Sequence, residues 1–148
     1  MTGKVLCIGV MSIVLMGICL VACSTQPDVA KAPSPEALLQ AIPAADLAQV
    51  DRIHDMKNWR NPYLIVRPDG IALLDAADSA EIKLKPDQLL AALAALPASN
   101  WPLGRVVAAT ADGASASGQD GVALRRNRGI VGGELRGAQV AIKWVPSA

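Results

Sequence analysis

The only histidine, His54, stands next to Asp55 and looks like half of a metal motif. Zinc sites draw on several Cys or His ligands, and no second histidine completes this one. A polar position at a helix end is therefore the expected role, and no metal is expected. Asp69, Asp75, Asp78 and Glu81 cluster around one turn. Two carboxylates facing each other can run acid–base hydrolysis of a glycosidic bond, although charged hairpin turns are ordinarily solvated. Beyond residue 22 serines fall at 24, 34, 79, 99, 115, 117 and 147, and none lies in a Gly-x-Ser-x-Gly elbow. A triad through His54 has little to build on. No Gly-x-Gly-x-x-Gly loop occurs, and no cofactor is expected.

Binding chemistry is better supplied. The chain has three Trp, one Tyr and no Phe. Trp59-Arg60-Asn61-Pro62-Tyr63 and Trp101-Pro102 set aromatics beside prolines at strand entrances. Such rings can close the open ends of a core, or form a stacking surface with Arg60 and Asn61 as polar contacts. Arg125, Arg126 and Arg128 make a basic run. Most such runs are solvated helix faces; one on an exported protein could also meet anionic headgroups. Gly129, Gly133 and Gly137 recur every fourth residue, with Gly132 between them. Each helical glycine costs about 1 kcal/mol against alanine. Close packing of this stripe on the domain's own sheet is the expected compensation, with close approach of a partner as the alternative.

The elements that must hold these residues follow from periodicity. Ser34-Pro35-Glu36 opens a helix, with Ser34 as N-cap and Pro35 at its first position. Leu38, Leu39 and Ile42 share a face, Pro43 breaks or kinks the run, and Leu47, Val50 and Ile53 continue it to about His54. Tyr63–Val66 and Ile71–Leu74 flank a Pro68-Asp69-Gly70 turn and form a hairpin. Residues 81–84 make a short strand. Pro86-Asp87 starts a helix burying Leu89, Leu90, Leu93 and Leu96, which Pro97 ends. Gly104–Thr110 is an apolar central strand. After a loop over 111–121, a helix over 122–136 turns Leu124, Ile130, Val131 and Leu135 inward and stops at Gly137. Residues 140–145 are the last strand. Helices returning between strands give an α/β (α+β) two-layer sandwich. About five strands form its mixed sheet, with helices on one face and a helix ahead of them.

The N-terminus reads differently. One lysine, Lys4, precedes Val5–Ala22, eighteen residues without a charge. That length is at the lower edge of a bilayer span. Leu20-Val21-Ala22-Cys23 resembles the lipobox of bacterial lipoproteins. The resemblance implies that residues 1–22 are a signal peptide and that Cys23 carries lipid after cleavage. Ser24 in place of Asp resembles the outer-membrane sorting pattern in diderm hosts. Cys7 and Cys19 leave with the signal, so the mature chain keeps Cys23 alone and gains no disulfide. Residues 23–35, with Pro27, Pro33 and Pro35, form a tether with roughly 20 Å of reach. The single domain is expected over 36–148.

From Pro62 to Val145 the element order resembles the periplasmic domain of the ExbD/TolR family. The likeness lies in an early strand with a DG turn, a Leu-rich helix, a Val-rich strand, and a helix ending in Gly before the last strand. Those proteins keep a transmembrane helix with a functional acidic residue. This chain has no Asp or Glu from Met1 to Gln26, so no motor role and no site residue is carried over. Of 14 Lys and Arg against 13 Asp and Glu, losing Lys4 leaves a neutral protein, which argues against nucleic acid. The expected function is a membrane-anchored envelope lipoprotein with a non-enzymatic module that binds a protein or the cell wall. The alternative is a small hydrolase acting on envelope carbohydrate through the hairpin carboxylates.

Overall fold

Short β-rich runs separated by Pro and Gly have to pair with one another to satisfy their backbone groups. In the computed structural model the described residues are 32–74, 80–113 and 117–146. All belong to one unit, Ala32–Ala148, separate from Met1–Lys31. The expected signal segment, Cys23 and most of the expected tether lie outside them, as do Asp75, Asp78 and Ser115.

Strands β1 (Tyr63–Arg67), β2 (Gly70–Leu74), β3 (Ile82–Leu84), β4 (Val106–Ala111) and β5 (Ala141–Trp144) form one sheet in the order β3-β2-β1-β4-β5. The β1–β2 hairpin is antiparallel, with Leu64 opposite Leu73, and β2–β3 is antiparallel too. β1 and β5 run parallel to β4, with Leu64 beside Ala109 and Val107 beside Ile142. Parallel neighbours need a long crossover, and α4 (Gly118–Gly137) supplies it between β4 and β5. The mixed five-stranded α+β sandwich is as the sequence predicts.

Alternation along the strands assigns the two faces. Leu64, Val66, Ile71, Leu73, Val107 and Ala109 turn to one side. There they meet Leu89, Leu90 and Leu93 of α3 (Leu89–Ala94) and Leu124, Val131 and Leu135 of α4. This is the main core. Leu39 of α1 (Pro35–Gln40) joins it, and Ser34 Oγ caps α1 by accepting from the Ala37 amide. Leu38, expected to be buried with Leu39, is 44% exposed. The helix after Pro43 is separate: α2 (Leu47–Asp51), capped by Asp46, buries Val50 and exposes Leu47.

α2 does not lie on the main core. Val50 packs with Trp59, Val106 and Ala108, a second small cluster on the opposite sheet face. Lys143 Nζ pins it by donating to the Val50 carbonyl at 2.9 Å. The closeness of this region to the sheet fixes one residue type: a Cβ on Gly104 (φ +77°) would sit 2.9 Å from Pro43 and Ala44 carbonyl oxygens, and only glycine fits there.

α4 starts four residues before the sequence predicts, at Gly118. It also ends differently. Gln139, not a glycine, takes the left-handed position (φ +59°). The Val140 amide then donates to Leu135 O at 2.8 Å and the Gln139 amide to Arg136 O at 3.0 Å, the two bonds of a Schellman cap. The glycine stripe is a larger correction. A Cβ at Gly129, Gly132, Gly133 or Gly137 would meet nothing within 4 Å. The stripe looks outward, because the inward positions of α4 are taken by Gly121, Leu124, Val131 and Leu135.

Candidate functional site

Residues of opposite parity face away from α3 and α4. On β1 these are Tyr63, Ile65 and Arg67, and on β4 Val106, Ala108 and Thr110. The register sets Tyr63 beside Ala108 and Ile65 beside Thr110. α2 and the turn at Met56–Asn58 cover the Val106–Ala108 end only. Beyond that cover an open cleft of about 480 Å³ is lined by His54, Met56, Tyr63, Ile65, Thr110, Asp112, Val145 and Pro146. Its volume falls within the range of small-ligand sites.

Its chemistry is mostly neutral. Thr110 is 9% exposed, and its Oγ1 is buried without a hydrogen-bond partner. A buried hydroxyl left unpaired is costly. Burial pushes the Tyr63 phenol above its ordinary value, and the nearby Thr110 hydroxyl opposes that shift without reaching hydrogen-bond geometry. His54 is exposed at the edge. At the other end Asp112 accepts from Arg67 Nε at 3.1 Å. Arg67 also grips Glu81 in a two-pronged ion pair at 2.6 and 2.9 Å. That contact holds the Glu81 carboxyl below its ordinary value.

The residues singled out in the sequence scatter. Trp59 (4% exposed) and Trp101 (5%) are core residues, the first of the two roles open to them. Trp59 Nε1 donates to Pro62 O at 3.2 Å, while Trp101 Nε1 has no acceptor. Asn61 is wholly buried. Its Nδ2 donates to Gly104 O at 2.7 Å and Val106 O at 2.8 Å, and its Oδ1 accepts from the Leu103 amide. Neither these rings nor Asn61 has a face left for a ligand. Arg60 is exposed and donates to Lys57 O at 3.3 Å. Tyr63 alone of the aromatic group reaches the cleft.

Arg125, Arg126 and Arg128 are exposed on α4, in the other layer of the sandwich. Arg128 lies over the Trp144 ring, 4.4 Å from its centroid, a cation–π contact. Arg126 borders a second open concavity, of about 590 Å³, with Pro68, Val122 and Asn127. Of the hairpin carboxylates, Asp69 is an exposed turn residue and Glu81 is engaged by Arg67. Among the described residues no three His, Cys, Asp or Glu side chains converge as a metal site would require.

Thr110, Ile65, Asp112 and Val145 were not singled out by the sequence. One signal was there: Thr110 is the single polar residue in the run Val106–Ala111, at the parity of the second face. With Thr110 Oγ1 unpaired, it has no base activating it as a nucleophile requires. The chain matches no family model, no curated protein and no solved structure.

Proposed function

We propose that this protein is a lipid-anchored envelope lipoprotein whose folded domain is a non-enzymatic binding module. The cleft on the second sheet face is its binding site, for a protein or cell-wall partner. The single observation that carries the reading is this cleft: open, sized for a ligand, and floored by a buried hydroxyl without a partner. The anchor rests on Leu20-Val21-Ala22-Cys23 and its resemblance to a lipobox. Ser24 after the cysteine favours the periplasmic side of an outer membrane in a diderm host. Of the carboxylates the hydrolase alternative would use, Glu81 is held by Arg67 in a two-pronged ion pair that lowers its pKa.

Two experiments test the reading. Acyl chains contribute about 0.8 kcal/mol per buried CH₂, so Cys23→Ser should release the protein from membranes and abolish labelling by radioactive palmitate. Retained label in that variant refutes the anchor. A photo-crosslinking amino acid at Ile65, inside the cleft, should capture an envelope component in cells. The same amino acid at Gln40, exposed on α1, should not. Equal capture from both positions removes the cleft as the binding site.

A further inference from the structure

We infer that the outer face of α4 lies on anionic phospholipid headgroups, so that the domain rests on its membrane with the cleft turned away. The inference rests on the proposed lipid anchor and adds the orientation that an anchor alone leaves open. At about 3.6 residues per turn, Arg125, Arg126 and Arg136 share an arc of about 120° with Gly129, Gly133 and Gly137. All six are exposed. The carboxylates of the helix, Asp120 and Glu134, fall outside that arc. Among the described residues no carboxylate pairs with these three arginines, the ion pairs there being those of Arg67. Arg128 lies apart from them, over the Trp144 ring.

The glycines fit a flat, charged partner. Each forfeits helix propensity, and the open space where a Cβ would stand leaves no contact within the domain to compensate. They give the helix a flank without side chains, which can approach a surface until the neighbouring arginines reach phosphate. Guanidinium meets phosphate through two parallel N–H donors. A protein partner would instead look for apolar or aromatic anchors, and the large apolar side chain that α4 exposes is Val122 alone. A second copy seated on the same stripe would set arginines against arginines. Position in the fold agrees. α1 packs on α3 and α3 on α4, so the described chain enters the domain in the helical layer that carries this face. The expected tether reaches roughly 20 Å, less than the width of a domain of this size. Some face of the domain therefore stays near the headgroups, and this one, with three cations and no carboxylate, complements their charge. Each basic side chain near an anionic surface raises affinity roughly fivefold, so three together give on the order of a hundredfold. The cleft opens on the opposite face of the sheet and stays accessible to its own partner.

The test reconstitutes the full chain into vesicles of phosphatidylcholine with or without phosphatidylglycerol, both doped with a nitroxide-headgroup lipid. A fluorescent amino acid replaces Gly133 on the α4 face, or His54 on the cleft rim. The label at Gly133 should be quenched at least threefold more strongly on anionic than on neutral vesicles, and the label at His54 should be quenched weakly on both. Half-molar salt, with a Debye length of about 4 Å, should remove the difference. Changing Arg125, Arg126 and Arg136 together to Gln should also remove it while leaving the melting temperature unchanged. Arg60→Gln, an exposed arginine away from α4, should change nothing. Equal quenching of Gly133 on the two vesicles, quenching at His54 as strong as at Gly133, or an anionic preference that survives the triple variant overturns the inference. Flotation of the same samples separates this failure from that of the anchor. A chain that floats with both vesicles without quenching at Gly133 keeps its anchor and loses the docking face. One that floats with anionic vesicles alone, and only with its three arginines, loses the anchor and keeps the face; one that floats with neither loses both. Binding to soluble polyphosphate in place of vesicles would give the face to an anionic polymer and overturn the inference as well.

Discussion

Asn61 donates to the Val106 carbonyl at 2.8 Å across 45 residues of chain, and every polar atom of its side chain is used. It joins the entrance of β1 to that of β4, the pair of strands on which the cleft is floored. Asn61→Ala leaves the Gly104 and Val106 carbonyls and the Leu103 amide without their side-chain partner. Buried groups orphaned in this way cost about 1–3 kcal/mol each. Partial relief by water or backbone adjustment brings the expected loss to roughly 2–4 kcal/mol, measured by urea denaturation. A loss under about 0.5 kcal/mol would return Asn61 to the list of surface contacts.

The ion pair of Arg67 and Glu81 makes a prediction about acid. Glu81 has its folded pKa lowered from 4.5, first by the hydrogen bonds from Arg67. A depressed carboxylate adds stability that is present above its unfolded value and is lost as pH falls through the folded one. Melting temperature should therefore drop between about pH 4.5 and lower values more steeply in the native protein than in Glu81→Gln. The pair is solvent-accessible, so the difference should be small and should shrink further in high salt. Identical acid limbs for the two proteins would show that the pair contributes nothing.

The cap of α4 departs from its sequence signal in a way that mutation can read. Gly137 looks like the terminator, yet the left-handed residue is Gln139. A non-glycine residue there costs roughly 1–2 kcal/mol. Gln139→Gly should thus raise stability by about 1 kcal/mol. Its backbone carbonyl, which accepts from Arg105 Nε at 2.9 Å, is kept in the variant. Loss of stability would mean the Gln139 side chain holds something that the cap alone does not.

Period and parity were legible in the sequence because local spacing determines them. Leu64 and Val66 against Tyr63 and Ile65, and the Leu89–Leu90–Leu93 face of α3, follow from a period of 2 and one near 3.6. What could not be read was which partner each face receives. Leu38 and Leu47 have helical spacing but are exposed, because α1 and α2 are too short and too far apart to make one stripe. Trp59 and Trp101 stand beside prolines in either role, and only the tertiary arrangement buries them. The cleft draws Tyr63 from β1, Thr110 from β4 and Val145 from just past β5, segments far apart in the chain. No local window brings those three together.

The glycine stripe of α4 shows the same limit and yields the sharpest contrast. Spacing put Gly129 and Gly133 on one face, but spacing does not say what that face meets. Each has open space where a Cβ would stand. Alanine at either should therefore gain about 0.8–1 kcal/mol from helix propensity alone. The two gains should add nearly in full, because neither side chain finds a neighbour to disturb. Gly133→Leu should likewise avoid the 1–3 kcal/mol cost of overpacking. Gly104→Ala is the counterexample. There a Cβ meets three backbone atoms at 2.9 Å with φ at +77°, and strain plus displacement should cost roughly 3 kcal/mol or more. Thermal melts of these variants give the sign in each case. Destabilisation by Gly129→Ala or Gly133→Ala would mean that the face is covered in solution, and a second copy of the chain would then be sought by sedimentation.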